Sequence, residues 1–157
     1  EFPYKQLMAR FSLETKLGSA EIENLLSYNY STRYSFLILS LLYPDRDWID
    51  KSFNEDHIYP KVEFTYAKLS KRGYSEAKIK EYLDNYNTIL NLQLLDSSEN
   101  KSKNAQPFDT WITTRDAGFK ARHHIPTISN YDFDHFMDFI KERRKLLVKA
   151  LEKISFE

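Results

Sequence analysis

The chain has 157 residues, 41% of them hydrophobic and 15% aromatic, which suits one packed domain rather than a disordered segment. Lys and Arg balance Asp and Glu at 23 each, so no global basic field announces nucleic acid. There is no cysteine, which excludes disulfides and thiolate-bound metals and fits a reducing cytoplasm.

Taken in chain order, the first 45 or so residues are expected to be helical. Ser19 is a candidate N-cap, with Ile22, Leu25 and Leu26 at helical spacing behind it. The longest apolar run, YSFLILSLLY (34–43), falls well short of the roughly 20 residues that cross a bilayer. It reads as a helix over 33–43, apolar nearly all round, stopped by Pro44 and central to the core. Pro60 then blocks any helix through SFNEDHIYP, so an extended segment ending near His57 is expected. Two helices fill 61–86, the first stopped at Gly73 and the second capped by Ser75 and running through Ile79 and Leu83. TILNLQLLD (88–96) alternates at Leu90, Leu92 and Leu94 and reads as a strand. Ser97 or Ser98 can cap a short helix carrying Asn100 and Lys103, before Pro107 restarts the chain. Phe133, Phe136, Met137, Ile140, Leu147, Leu151 and Ile154 predict one long amphipathic C-terminal helix with basic residues on its other side.

Charge is unevenly spread. Residues 1–60 hold six basic and nine acidic side chains. By contrast, residues 61–80 hold Lys61, Lys68, Lys71, Arg72, Lys78 and Lys80 against Glu63 and Glu76. KERRKLLVK (141–149) holds five basic residues, Arg143 and Arg144 among them, against Glu142. Both basic stretches suit solvated helix faces, and both also suit a phosphate backbone.

Around His57 the order is strand, helical insertion, strand, short helix. Asp56 and His57 end the first strand, Asn91 lies in the second and Asn100 on the helix. Phosphodiester hydrolysis needs a base for water and a cation for the charge that builds on the phosphate and the leaving oxygen. A histidine, with an ordinary pKa near ~6.5, suits the first task. An Asp and an Asn oxygen suit a hard cation such as magnesium, which keeps several of its waters.

DHIYP, LNLQLL and ENKSK together resemble the HNH (ββα-metal) nucleases, in the branch whose last histidine is replaced by asparagine. The nine residues from Asn91 to Asn100 match the spacing in the HNH domain of the RNA-guided CRISPR nuclease. NLQLLDSSENKSKN and the final FMDFIKERRKLL are similar to the C-terminal HNH domains of GmrSD-type, modification-dependent bacterial restriction proteins. The motif covers about 57–103. The gap of 34 residues from His57 to Asn91 is longer than a compact HNH hairpin, as an insertion in a loop allows.

The resemblance implies a metal-dependent DNA endonuclease or nickase in a bacterial anti-phage restriction system, with Mg2+ or Mn2+ as cofactor and DNA, modified phage DNA included, as partner. His57 is implied as general base, Asp56 and Asn100 as metal ligands, and Asn91 as the residue that braces the hairpin and orients His57. Lys103 is implied as a phosphate contact, with Lys61, Lys68, Lys71, Arg72, Arg143 and Arg144 as further DNA contacts. The expected fold is α+β and mostly helical, a single domain over 1–157. Its parts are a helical N-terminal segment (1–50), an HNH core (51–106) with a helical insertion (61–86), and a C-terminal helical segment (107–157). The chain starts EFPYK without methionine or a signal pattern, and is expected to be the C-terminal part of a longer cytoplasmic protein lacking its N-terminal domain.

Two other classes remain: an HNH-fold module that binds DNA without cutting it, and a protein-interaction module using the final helix. RHHIPT (122–127) repeats His-Ile-Pro but no NLxLL segment follows, so His123 and His124 read as structural or as peripheral DNA contacts. His135 is expected at a core boundary. Tyr28, Tyr30, Tyr34, Phe36, Trp48 and Trp111 are expected in the core, a base-stacking platform being the other reading. Glu55 should point away from Asp56, because strand neighbours face opposite sides.

Overall fold

Two short strands and one long helix organise the molecule. The computed structural model describes residues 16–44 and 51–154. The helical expectation for residues 1–15 and the core placement of Trp48 lie outside them. Strand β1 (Phe53–His57) pairs antiparallel with β2 (Leu92–Asp96), setting Asp56 opposite Gln93 and His57 opposite Leu92. Helix α1 (Ser19–Leu26) and α2 (Ser35–Ser40) precede the sheet; α3 (Tyr66–Lys71) and α4 (Glu76–Asn85) form the insertion between its strands. Helix α5 (Ser97–Lys103) follows β2 directly, then α6 (Phe108–Ile112), α7 (Ala117–Arg122) and α8 (Phe136–Leu151). The architecture is α+β and mostly helical. Among the described residues no helix is long and apolar enough to cross a membrane.

The insertion breaks as its sequence requires. Gly73 takes φ +78°, a left-handed conformation that closes α3, and the Ser75 hydroxyl accepts the Lys78 N–H to start α4. Elsewhere the local chemistry differs from expectation. The second strand starts at Leu92, because Ile89–Asn91 form a 3-10 turn. Leu92 to Leu95 are all buried, so the strand is covered on both faces and its apolar run is not a half-exposed alternation. Helix α5 is capped by Asp96 rather than Ser97 or Ser98. The Asp96 carboxylate accepts from Ser98 and Glu99 N–H, and Glu99 reaches back to the Asp96 N–H. Helix α1 starts at Ser19, with Gly18 rather than Ser19 at the cap position.

Helix α2 is not buried all round. Ile38 and Leu39 enter the core with Leu42 and Tyr43, whereas Tyr34, Phe36 and Leu37 are exposed, contrary to the core placement expected for the first two. The C-terminal helix packs Phe136, Phe139, Ile140, Leu147 and Leu151 inward, preceded by a 3-10 turn at Phe133–His135. Tyr59, Phe64, Tyr82, Phe108, Phe136 and Phe139 pack around one another with ring centroids 4.7–6.2 Å apart. This aromatic block fixes the segment leaving β1 against α8.

Arg143 corrects an expectation. It is fully buried on the inward face of α8 and is therefore no DNA contact. Its guanidinium donates to the carbonyls of Leu90 (2.8 Å), Leu92 (2.8 Å) and His123 (3.3 Å), which pins α8 to the entrance of β2. Burial lowers its pKa to about 10, so it stays protonated at neutral pH.

Candidate active site

At the end of β1 the chain turns out of the sheet, and one buried amide holds that turn. Asn91 is inaccessible to solvent. Its Oδ1 accepts the Tyr59 N–H (3.0 Å), and its Nδ2 donates to the carbonyls of Tyr59 (3.1 Å) and Tyr86 (2.8 Å). The Asn91 carbonyl accepts from the Ile58 N–H at 2.8 Å. Asn91 thus staples the exit of β1 to the entrance of β2, the bracing its sequence position suggested. It touches the backbone beyond His57, however, and not the imidazole.

The imidazole is held by a residue that sequence reasoning passed over. His57 Nε2 lies 3.0 Å from Asn87 Oδ1. The Tyr30 ring packs on it at 4.7 Å and Tyr86 stacks at 6.3 Å. His57 is 8% exposed, and burial is the main force lowering its pKa. The Asn87 bond and the Asp56 charge push the other way, while Lys61 and Lys103 add to the lowering. The ring is therefore neutral at physiological pH, the state a base requires.

Asp56, one residue earlier on β1, is tied to β2 and to α5. Its Oδ2 accepts from Gln93 Nε2 at 2.9 Å and lies 3.0 Å from Lys103 Nζ. Among the described residues no donor reaches its other carboxylate oxygen. Lys103 is 1% exposed and also donates to the His57 carbonyl at 2.7 Å. It is an internal clamp between α5 and β1 rather than the surface phosphate contact expected. Burial lowers its pKa, opposed by the Asp56 carboxylate. The Glu55 carboxylate accepts from the Ser31 N–H (3.1 Å) and from Ser35 Oγ (2.9 Å), partners that Asp56 does not share, although Glu55 borders the same cleft as Asp56.

Asp56, His57, Asn100 and Lys103 line one open cleft of about 360 Å³, with Lys61 and Tyr30 on its wall. Lys61 sits over the Tyr30 ring at 5.8 Å. No side-chain hydrogen bond of Asn100 occurs among the described residues, so its amide is available to a ligand. Asp56 and Asn100 would offer a cation in the cleft oxygen donors only, the donor chemistry that a hard divalent ion retaining several waters takes. Among the described residues no three His, Cys, Asp or Glu side chains gather to make a fuller cage.

The remaining basic residues are spread differently. Lys68 and Arg72 both pair with Glu63 (2.9 and 3.1 Å), and Arg72 also lies over the Phe133 ring at 4.4 Å. Lys71 is exposed on α3. Arg144 is exposed and pairs with Glu23, away from its neighbour Arg143. Both histidines of RHHIPT are structural: His123 is fully buried, 3.0 Å from the Tyr43 hydroxyl and stacked on Phe119, and His124 Nε2 meets the Leu42 carbonyl at 3.2 Å. His135 lies half-exposed against Asp132 at 2.7 Å. Trp111 is in the core as expected.

No protein-family model and no curated protein sequence matches the chain.

Proposed function

We propose that the chain is a metal-dependent HNH-type endonuclease or nickase domain, and that the cleft at the end of β1 is its active site. One observation carries this reading: Asp56, His57 and Asn100, from a strand–strand–helix unit, line the same cleft. The neutral His57 imidazole takes a proton from water, whose oxygen attacks the phosphorus. The new P–O bond forms as the bond to the 3′-oxygen breaks, and that oxygen leaves and is protonated by solvent. Asp56 and Asn100 are the ligands for a Mg2+ or Mn2+ ion, which when bound would neutralise charge on the phosphate. Asn91 and Lys103 hold the end of β1 so that Asp56 and His57 share the cleft. Lys61 is the cation on the cleft wall that would meet the substrate backbone. A role in anti-phage restriction in the cytoplasm, on DNA that carries a modification, follows from the resemblance alone.

The assay is relaxation of supercoiled plasmid with Mg2+ or Mn2+. The wild-type chain nicks it, and His57→Ala and Asn100→Ala do not while still binding DNA. A second reading, DNA binding without cleavage, is favoured by the Lys103–Asp56 ion pair, which offsets the one carboxylate charge available to a cation. Wild-type protein that binds DNA but neither nicks nor binds metal would establish it.

A further inference from the structure

We infer that Asn87 is the positioning residue for His57, fixing the ring with its proton on Nε2 so that Nδ1 is the basic nitrogen presented to the cleft. This rests on the reading of His57 as general base. The amide oxygen of Asn87, 3.0 Å from Nε2, can only accept, so the hydrogen of a neutral imidazole must sit on Nε2. The lone pair is then on Nδ1, which no donor or acceptor approaches among the described residues. A base with its lone pair turned into the protein would do nothing. This one has it free on a ring that lines the cleft.

Asn87 can do this because its main chain is itself fixed. Its carbonyl accepts the Tyr30 N–H at 2.8 Å, and Asn29 bridges to the next residue, Thr88. The same N-terminal stretch is tied to β1, since the Ser31 N–H and the Ser35 hydroxyl both bind Glu55. Segment 28–35 therefore reaches the base from two directions, with the Tyr30 ring closing one face of the imidazole at 4.7 Å. The sequence motif runs from Asp56 to Lys103 and contains none of this segment. The site nonetheless includes it, and Asn87 is the node that joins the two.

The experiment is 15N NMR of the histidine side chains at about pH 8, above the ordinary imidazole pKa of ~6.5, with His57 assigned by its loss in His57→Gln. The wild-type chain shows His57 as the Nε2–H tautomer. Asn87→Ala gives a mixture of tautomers and a kcat lowered about 10- to 100-fold at unchanged KM, the size typical of losing an orienting partner. Asn87→Asp, which keeps the acceptor, restores the Nε2–H form. An Nδ1–H tautomer in the wild type overturns the inference, as does Asn87→Ala that leaves both tautomer and kcat unchanged. If Asn87→Ala fails to fold, Asn87→Ser takes its place, and an unchanged tautomer and kcat in that variant overturn the inference. Failure of the underlying reading looks different: His57→Ala would then cleave like wild type, whatever the tautomer.

Discussion

DHIYP (56–60) and HHIPT (123–127) nearly share a sequence and share almost nothing else. Each holds a buried histidine with one ring nitrogen 3.0 Å from a side-chain oxygen, Asn87 for His57 and Tyr43 for His123. His123 is closed in between Phe119 and Tyr43 with no solvent access, at the end of a short helix. His57 lines an open cleft together with Asp56 and, from another element, Asn100. Burial and a hydrogen bond make a histidine rigid. A cleft and ionic companions are what let a rigid histidine do chemistry.

The sharpest way to break that comparison is to remove each ring. His57→Ala should lower cleavage per folded molecule by about 10²- to 10⁴-fold, the usual worth of a positioned base, beyond whatever stability its buried ring supplies. His123→Ala should do the reverse, sparing the chemistry per folded molecule but destabilising the chain by about 2–4 kcal/mol through a cavity beside Phe119. Equal activity losses in the two variants, measured by plasmid nicking and thermal melts, would erase the distinction.

The two buried cations extend the contrast from histidines to the rest of the site. Arg143→Leu removes donors from several carbonyls at the β2 entrance and should cost about 3–5 kcal/mol of unfolding free energy in a denaturant titration, each orphaned buried group being worth ~1–3 kcal/mol. Lys103→Met should cost less stability, since it deprives one carboxylate and one carbonyl of a partner, and should also impair cleavage. Neither substitution should flatten the salt dependence of DNA binding, because both side chains are buried and spend their charge on internal partners. A flattened salt slope in either would return that residue to the DNA interface.

A smaller effect separates the open histidine by pH. The folded-state pKa of His57 lies below the unfolded value of 6.5, so the unfolded chain binds the proton first on acidification. Its contribution to stability is therefore present above about pH 6.5 and is lost as pH falls through the lower folded value. Cleavage should rise through that same acidic range and level off by neutrality. His124 shifts in the same direction, so the His57 share is the part of the acid loss that disappears in His57→Gln. An unchanged acid limb in that variant would contradict the assignment.

Legibility in the sequence divides along physical lines. Local signals were readable: Gly73 and Ser75 punctuate the insertion where the chain needs a left-handed turn and a hydroxyl cap. The Asp96-x-x-Glu99 capping box was also present in the letters, although the serines beside it drew the expectation. Arg143 was readable too, because 136, 139, 140, 143 and 147 trace one face of a 3.6-residue helix. Arg144, one position on, turns about 100° away and meets Glu23 at the surface. Asp56, His57 and Asn100 were picked out from their companions in chain order, and the fold brings the three to one cleft. Asn87 and Tyr30 were not, since their roles exist only once β1, the 86–91 turn and the N-terminal segment meet. Lys103 was found but misjudged, for a lysine is buried only where a partner such as Asp56, 47 residues earlier, is brought to it.

The central claim is that Asp56, His57 and Asn100 form one metal-dependent site, and a crystal soaked in Mn2+ tests it most directly. The account predicts a single anomalous peak in the cleft, bound by one Asp56 carboxylate oxygen and the Asn100 amide oxygen, with His57 beside it and still tethered to Asn87. A cleft that stays without a peak at millimolar Mn2+, with Asp56 bound only to Lys103 and Gln93, would contradict it.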